Sequence, residues 1–192
     1  MRYAKDHKEK TRKNLVAKTA TAIKEGGLDT LGVGSLMAKA GMTHGALYAH
    51  FKSKDELVSE ALVSTFNEVR ERLETNAHNE TDETAKLSSL IRQYLSTEHR
   101  DNPSFGCALG CLGSEISRLS PESKERFAFE VEDWLRAYSQ HAGDKRIGYV
   151  VACSLIGAIQ LSRLFDDQSK SVDVLETTKQ GLEVLVESCS SN

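Results

Sequence analysis

The chain has 192 residues, 39% hydrophobic and 28% charged, with a formal net charge of −3, which is enough apolar content for one substantial core and a small appended unit. No apolar run approaches the roughly 20 residues that a bilayer-spanning helix needs, and the opening MRYAKDHKEK lacks the apolar segment of a secretory leader. A cytoplasmic chain with no membrane partner is therefore expected, and four cysteines (Cys107, Cys111, Cys153 and Cys189) are too few for a secreted disulfide scaffold. The net charge hides a division. Residues 1–54 hold eleven Lys and Arg against four Asp and Glu, giving +7 and leaving −10 on the remainder, so a polyanion would attract one end and repel the other.

Along the chain, Leu15, Val16, Ala20 and Ile23 form a helical stripe closed by Gly26-Gly27. Val33, Leu36 and Met37 recur at helical spacing, and Ala40-Gly41 supplies the small corner at which two helices cross. Thr43 suits an N-cap for a helix over His44–His50, in which Leu47 and Phe51 face inward and His44, Gly45 and Tyr48 face outward. Ser53, Lys54, Asp55 and Glu56 then form a capping box that starts a new helix. This is the pattern of a helix-turn-helix whose second helix enters a major groove. Thr43 and Tyr48 offer hydroxyls to phosphates, and Lys54 adds charge at a helix N-terminus. His44 and Gly45 are placed for base edges, and His50 completes the candidate set. Lys52 reads equally as a phosphate contact or a loop lysine.

Beyond this point every segment between punctuators reads as helix. Leu57, Ala61, Leu62, Phe66, Val69 and Leu73 share one stripe, and further helices are expected at about 83–98, 104–118 and 121–141. Pro103 and Pro121 suit first helical positions, capped by Asn102 and Ser120. Ile147 to Phe165 and Leu175 to Val186 give the last two helices. With no strand pattern, the fold is expected to be all-α, with about nine helices. A three-helix unit over residues 1–53 precedes a larger helical unit over 54–192. Gly148, Ala152, Gly157 and Ala158 allow close backbone approach in the penultimate helix. The two final helices are read either as a four-helix dimer interface or as core helices of a monomer.

The string AGMTHGALYAHFKSKDEL, Ala40 to Leu57, resembles the tetracycline-repressor (TetR) family of bacterial transcription factors. The upstream stripe matches more loosely, with Gly32, Met37 and Ile23 standing where the family usually has Ser or Thr, Ala and Phe. The resemblance implies a homodimer formed through the two C-terminal helices, a palindromic double-stranded operator, repression, and an unknown small-molecule inducer. It also implies an apolar pocket among the middle helices, for which Phe66, Tyr94, Cys107, Cys111, Phe127, Trp134 and Gln160 are the candidate lining. Trp134 reads as a ligand donor or a core aromatic, and Gln160 as a pocket contact or a hydrogen bond across a dimer.

Within Phe105 to Leu112, Cys107 and Cys111 lie four apart on one helix face, and a helix N-terminus favours thiolate. This Gly-Cys opening resembles one branch of the family in which some members sense electrophiles or oxidants, while simple packing of a buried cysteine is the other reading. No metal or cofactor is expected, because the two thiols lack a second ligand pair. No Gly-rich phosphate loop and no base beside a nucleophile suggests an enzyme. The leading reading is a homodimeric repressor released by an inducer or by cysteine modification. A helical adaptor without operator binding is the alternative, and a thiol-based enzyme is third.

Overall fold

The computed structural model describes residues 2–27, 38, 44–102 and 106–190, and among these the chain forms nine helices and no strand. They are α1 (Arg2–Gly26), α2 (His44–Tyr48), α3 (Lys54–Asn76), α4 (Glu83–Tyr94), α5 (Thr97–Asp101), α6 (Ala108–Ile116), α7 (Pro121–Ala142), α8 (Lys145–Ser162) and α9 (Gln168–Ser190). Thr43, Gly32, Met37, the Ala40-Gly41 corner, Pro103 and Phe105 lie outside the described residues.

The N-terminal unit is built on the expected stripes: Leu15, Val16, Ala20 and Ile23 of α1 are buried together with Leu47 and Phe51. α1 packs on α3, whose Leu57, Ala61, Leu62, Phe66, Val69 and Leu73 are all buried. One continuous helix thus closes the small unit at its start and enters the larger body at its end. There α3 packs on α7, α7 on α8, and α9 on both α8 and α4.

Boundaries in the body differ from expectation. The segment expected as one helix over 83–98 breaks at Leu95, because Ser96 turns to extended backbone and caps a new helix by accepting the His99 N–H at 3.1 Å. α6 begins at Ala108 rather than near 104, and Asn102 ends α5, donating its side-chain amide to the Glu98 carbonyl at 2.9 Å, instead of capping α6. The Ser120 cap and Pro121 start of α7 are as expected.

The small residues of α8 do two different jobs. A Cβ on Gly148 would lie 2.5 Å from the Ser139 backbone, so this glycine lets α7 and α8 touch within one chain. Ala152 and Ala158 are also buried inside the protomer, whereas a Cβ on Gly157 would meet nothing within 4 Å. The C-terminal end of the α8 stripe is not core: Leu161, Leu164 and Phe165 are exposed.

Candidate nucleic-acid interface and body core

α2 ends at Tyr48, two residues earlier than expected, in a turn where His50 and Phe51 both donate their N–H to the Leu47 carbonyl, at 2.9 and 2.8 Å. Leu47 is fully buried and Tyr48 is 59% exposed, so the helix turns its tyrosine outward, with Gly45 also exposed. His44 opens α2, and its side chain lies outside the description. Lys54 is half-buried at the first position of α3. His50 stands apart from the outward face: it is half-buried, and its Nδ1 is shielded without a hydrogen-bond partner. Burial first, then the charges of Lys8, Arg12 and His7, hold its pKa below the usual histidine range.

The cap that ends this unit is a variant of the expected box. Ser53 Oγ accepts the Glu56 N–H at 3.1 Å, but the Glu56 carboxylate reaches back past the cap to the Lys52 N–H at 2.6 Å. That bond, followed by the hydrogen bond and charge of Arg12, keeps Glu56 ionised below the usual carboxylate range despite its partial desolvation.

Arg12 is a site residue that the sequence reading missed. Its guanidinium donates to the His50 carbonyl and to Glu60, lies 3.3 Å from Glu56, and stacks 4.0 Å above the Phe51 ring. One side chain of α1 thereby ties the end of α2 to the start of α3. The available signal was an arginine on the same helical face as Leu15, Val16 and Thr19, where a charge needs partners.

In the body, five of the seven expected pocket residues (Phe66, Tyr94, Cys107, Phe127 and Trp134) are buried, Cys111 is half-buried and Gln160 is exposed. The aromatics fill space with one another. Phe66 meets Phe127 edge-on at 5.4 Å and Trp134 at 5.9 Å, and Trp134 lies 4.9 Å from Tyr138. Gln160 donates to the Leu109 carbonyl at 3.1 Å, which links α8 to α6 within the protomer. A groove of about 640 Å³ opens outside this cluster, between α3, α4 and α5, lined by Val69, Leu73, Arg72, Arg92, Gln93 and His99 among others. None of the seven expected residues lines it.

Burial pushes the Cys107 thiol up, opposite to the acidic thiol expected at a helix N-terminus, because desolvation outweighs the favourable hydrogen bonds around it. The backbone N–H of Cys107 donates to His99 Nε2 at 3.0 Å, and His99 Nδ1 faces the Tyr94 carbonyl at 2.7 Å. This pattern requires a neutral ring with its proton on Nδ1, and burial lowers the His99 pKa to about 4. Two arginines, also missed, secure the surrounding backbone. Arg163 donates to the His99, Arg100 and Gly110 carbonyls and to Cys111 Sγ, at 2.9–3.1 Å. Buried Arg100 reaches Ser171 Oγ at 2.9 Å and Gln168 at 2.8 Å at the start of α9. The buried Tyr94 hydroxyl lies against the Cys107 thiol, and the buried Tyr138 hydroxyl against Trp134.

Among the described residues, no group of three or more His, Cys, Asp or Glu is placed to hold a metal ion, and no helix is long and apolar enough to cross a membrane.

Residues 15–61 match the family model of the bacterial regulatory proteins, tetR family. The chain carries the TetR-family head on the TetR-family fold. A TetR transcriptional regulator from Chloroflexus aurantiacus is similar over 95% of this chain and 96% of its own, with a TM-score of 0.78 at 19% identity. NemR of E. coli in its reduced form is similar over 90% and 95%, with a TM-score of 0.77 at 19% identity. FadR of Bacillus subtilis, in complex with stearoyl-CoA, is similar over 88% and 96%, with a TM-score of 0.70 at 14% identity. None of the curated proteins matches the chain. The match over residues 15–61 supports DNA-binding regulation by this part of the chain.

Proposed function

We propose that this TetR-family chain is a homodimeric repressor. Residues 1–53 read a palindromic operator, and residues 54–192 dimerise and respond to a small molecule or to cysteine modification. The observation that carries the dimer is a set of exposed apolar side chains on the last two helices: Tyr149, Val150 and Leu161 of α8 and Val184 of α9 are exposed, with Leu164 and Phe165 in the turn that follows α8. Such a surface is unusual on a monomer and fits a twofold interface. Thr43, His44, Gly45, Tyr48, His50 and Lys54 remain the proposed operator set. The outward Tyr48 and the basic charge of the first 54 residues support it.

An effector acting inside the body would meet two buried tyrosine hydroxyls, those of Tyr94 and Tyr138, as its polar contacts. Phe66, Tyr94, Cys107, Cys111, Phe127, Trp134 and Gln160 are the proposed surroundings, and a ligand entering there must displace the aromatic packing. Modification of Cys107 requires α6 to move first, since its thiol is buried. The ligand acts by preferring one body arrangement over the other.

Val150→Asp combined with Val184→Asp tests the interface. Analytical ultracentrifugation at micromolar concentration should show the parent as a dimer and the double variant as a folded monomer. A dimer in both cases would remove the assignment of this face. A dimeric parent that selects no DNA duplex would favour the adaptor reading.

A further inference from the structure

Glu60 lies on α3, yet its Oε2 is shared between two units. Arg12 of α1 donates to it from the head, and Arg126 of α7 approaches it to 3.6 Å from the body. Neither arginine is deeply buried, with side-chain exposures of 31% for Arg12 and 45% for Arg126, so the pairs are screened and adjustable rather than locked. The neighbouring contact between α3 and α7 is polar and long. Ser59 Oγ donates to the Ser123 carbonyl at 3.5 Å, and Ser123 Oγ donates to the Asp55 carbonyl at 3.4 Å. A cleft of about 320 Å³ beside it is lined by Lys52, Ser53, Glu56, Ser123 and Arg126 among others. Farther along, Phe66 packs edge-on against Phe127 at 5.4 Å and Arg70 reaches Asp133 at 3.1 Å, so the looser tie is confined to the start of α7.

We propose that Glu60 is a positioning residue for DNA recognition, through which the placement of α7 sets the angle of the reader helix. Arg12 holds the His50 carbonyl and covers the Phe51 ring, so whatever fixes the Arg12 guanidinium fixes the end of α2. Two cations compete for one carboxylate oxygen. When α7 carries Arg126 toward Glu60, the hold on Arg12 loosens, and when α7 withdraws it, Arg12 is gripped more tightly. None of the three side chains needs to touch DNA. The inference rests on the operator-binding reading above, and adds the path by which the body reaches the head.

The test is a double-mutant cycle on the full-length protein. The probe is a duplex that the parent protein enriches from a random-sequence pool. Arg126→Ala should change the Kd for that duplex by about threefold or more, Arg126→Lys should restore it to within about twofold, and the Arg126→Ala effect should vanish in a Glu60→Gln background. Amide hydrogen exchange of residues 49–52 without DNA is the second readout, and should follow the same pattern. An unchanged Kd and exchange rate in Arg126→Ala, or an effect that persists undiminished beside Glu60→Gln, would overturn the proposal. If no duplex is enriched, the operator-binding reading fails, and the exchange cycle alone decides whether Glu60 couples α7 to the head.

Discussion

Gly148→Ala should destabilise the protein by about 2 kcal/mol or more, at the upper part of the range for overpacked cores. The added Cβ would sit 2.5 Å from both Cα and N of Ser139 and 2.8 Å from the Tyr138 carbonyl carbon, all of them backbone atoms that no rotamer change can move. Alanine gains about 1 kcal/mol of helix propensity over glycine, which offsets part of the clash without removing it. Gly181→Ala is the control, since a Cβ there meets nothing within 4 Å in α9, and it should be neutral or stabilising by up to about 1 kcal/mol. Urea denaturation of both variants at matched concentration checks the pair, and equal stability for the two would show that α7 and α8 are not packed as described.

Acidification should expose His99 in the opposite way from His141. The native His99 pKa is about 4 against an ordinary value of 6.5, so between those values the unfolded chain takes up a proton that the folded protein refuses. Stability from this group is complete above pH 6.5 and is lost as pH falls, by about 2 kcal/mol at pH 5. His141 lies between Glu74 and Glu83 with its pKa raised, the Glu74 hydrogen bond being the largest cause. Its contribution is therefore complete below pH 6.5 and is lost as pH rises through the native value. Unfolding free energies measured from pH 7 to pH 5 should fall less steeply in His99→Gln than in the parent, the two slopes differing by about 2 kcal/mol over that interval. Parallel curves would contradict the neutral, doubly hydrogen-bonded ring.

The described parts of the head and the long third helix were legible because their apolar spacing repeats at the helical period: Leu47 and Phe51 turn inward, Tyr48 outward, and the α3 stripe from Leu57 to Leu73 is buried as read. The division of α4 from α5 was hidden because Leu87, Leu90, Ile91 and Tyr94 lead into a buried Leu95 without a break in pattern. Only the Ser96 cap marks the stop. Small residues on α8 were grouped by size, and the structure separates them by what faces them, which depends on α7 and not on their own helix. Arg12, Arg100 and Arg163 were missed for a related reason. Their partners lie far away in sequence, and only a charge on an apolar face hints that such partners exist. Of the two readings of Cys107, spacing alone could not choose, because a helix terminus lowers a thiol pKa only where water or charge accompanies it, and here burial raises it.

Operator reading by an outward α2 is decided by letting the purified protein select duplexes from a random-sequence pool at low salt, then measuring binding and mass for the parent and for Tyr48→Ala. The parent should enrich a twofold-symmetric site, and Tyr48→Ala should stay dimeric while losing most affinity for it. Enrichment of no sequence, or a Tyr48→Ala protein that binds as the parent does, would contradict that role of α2.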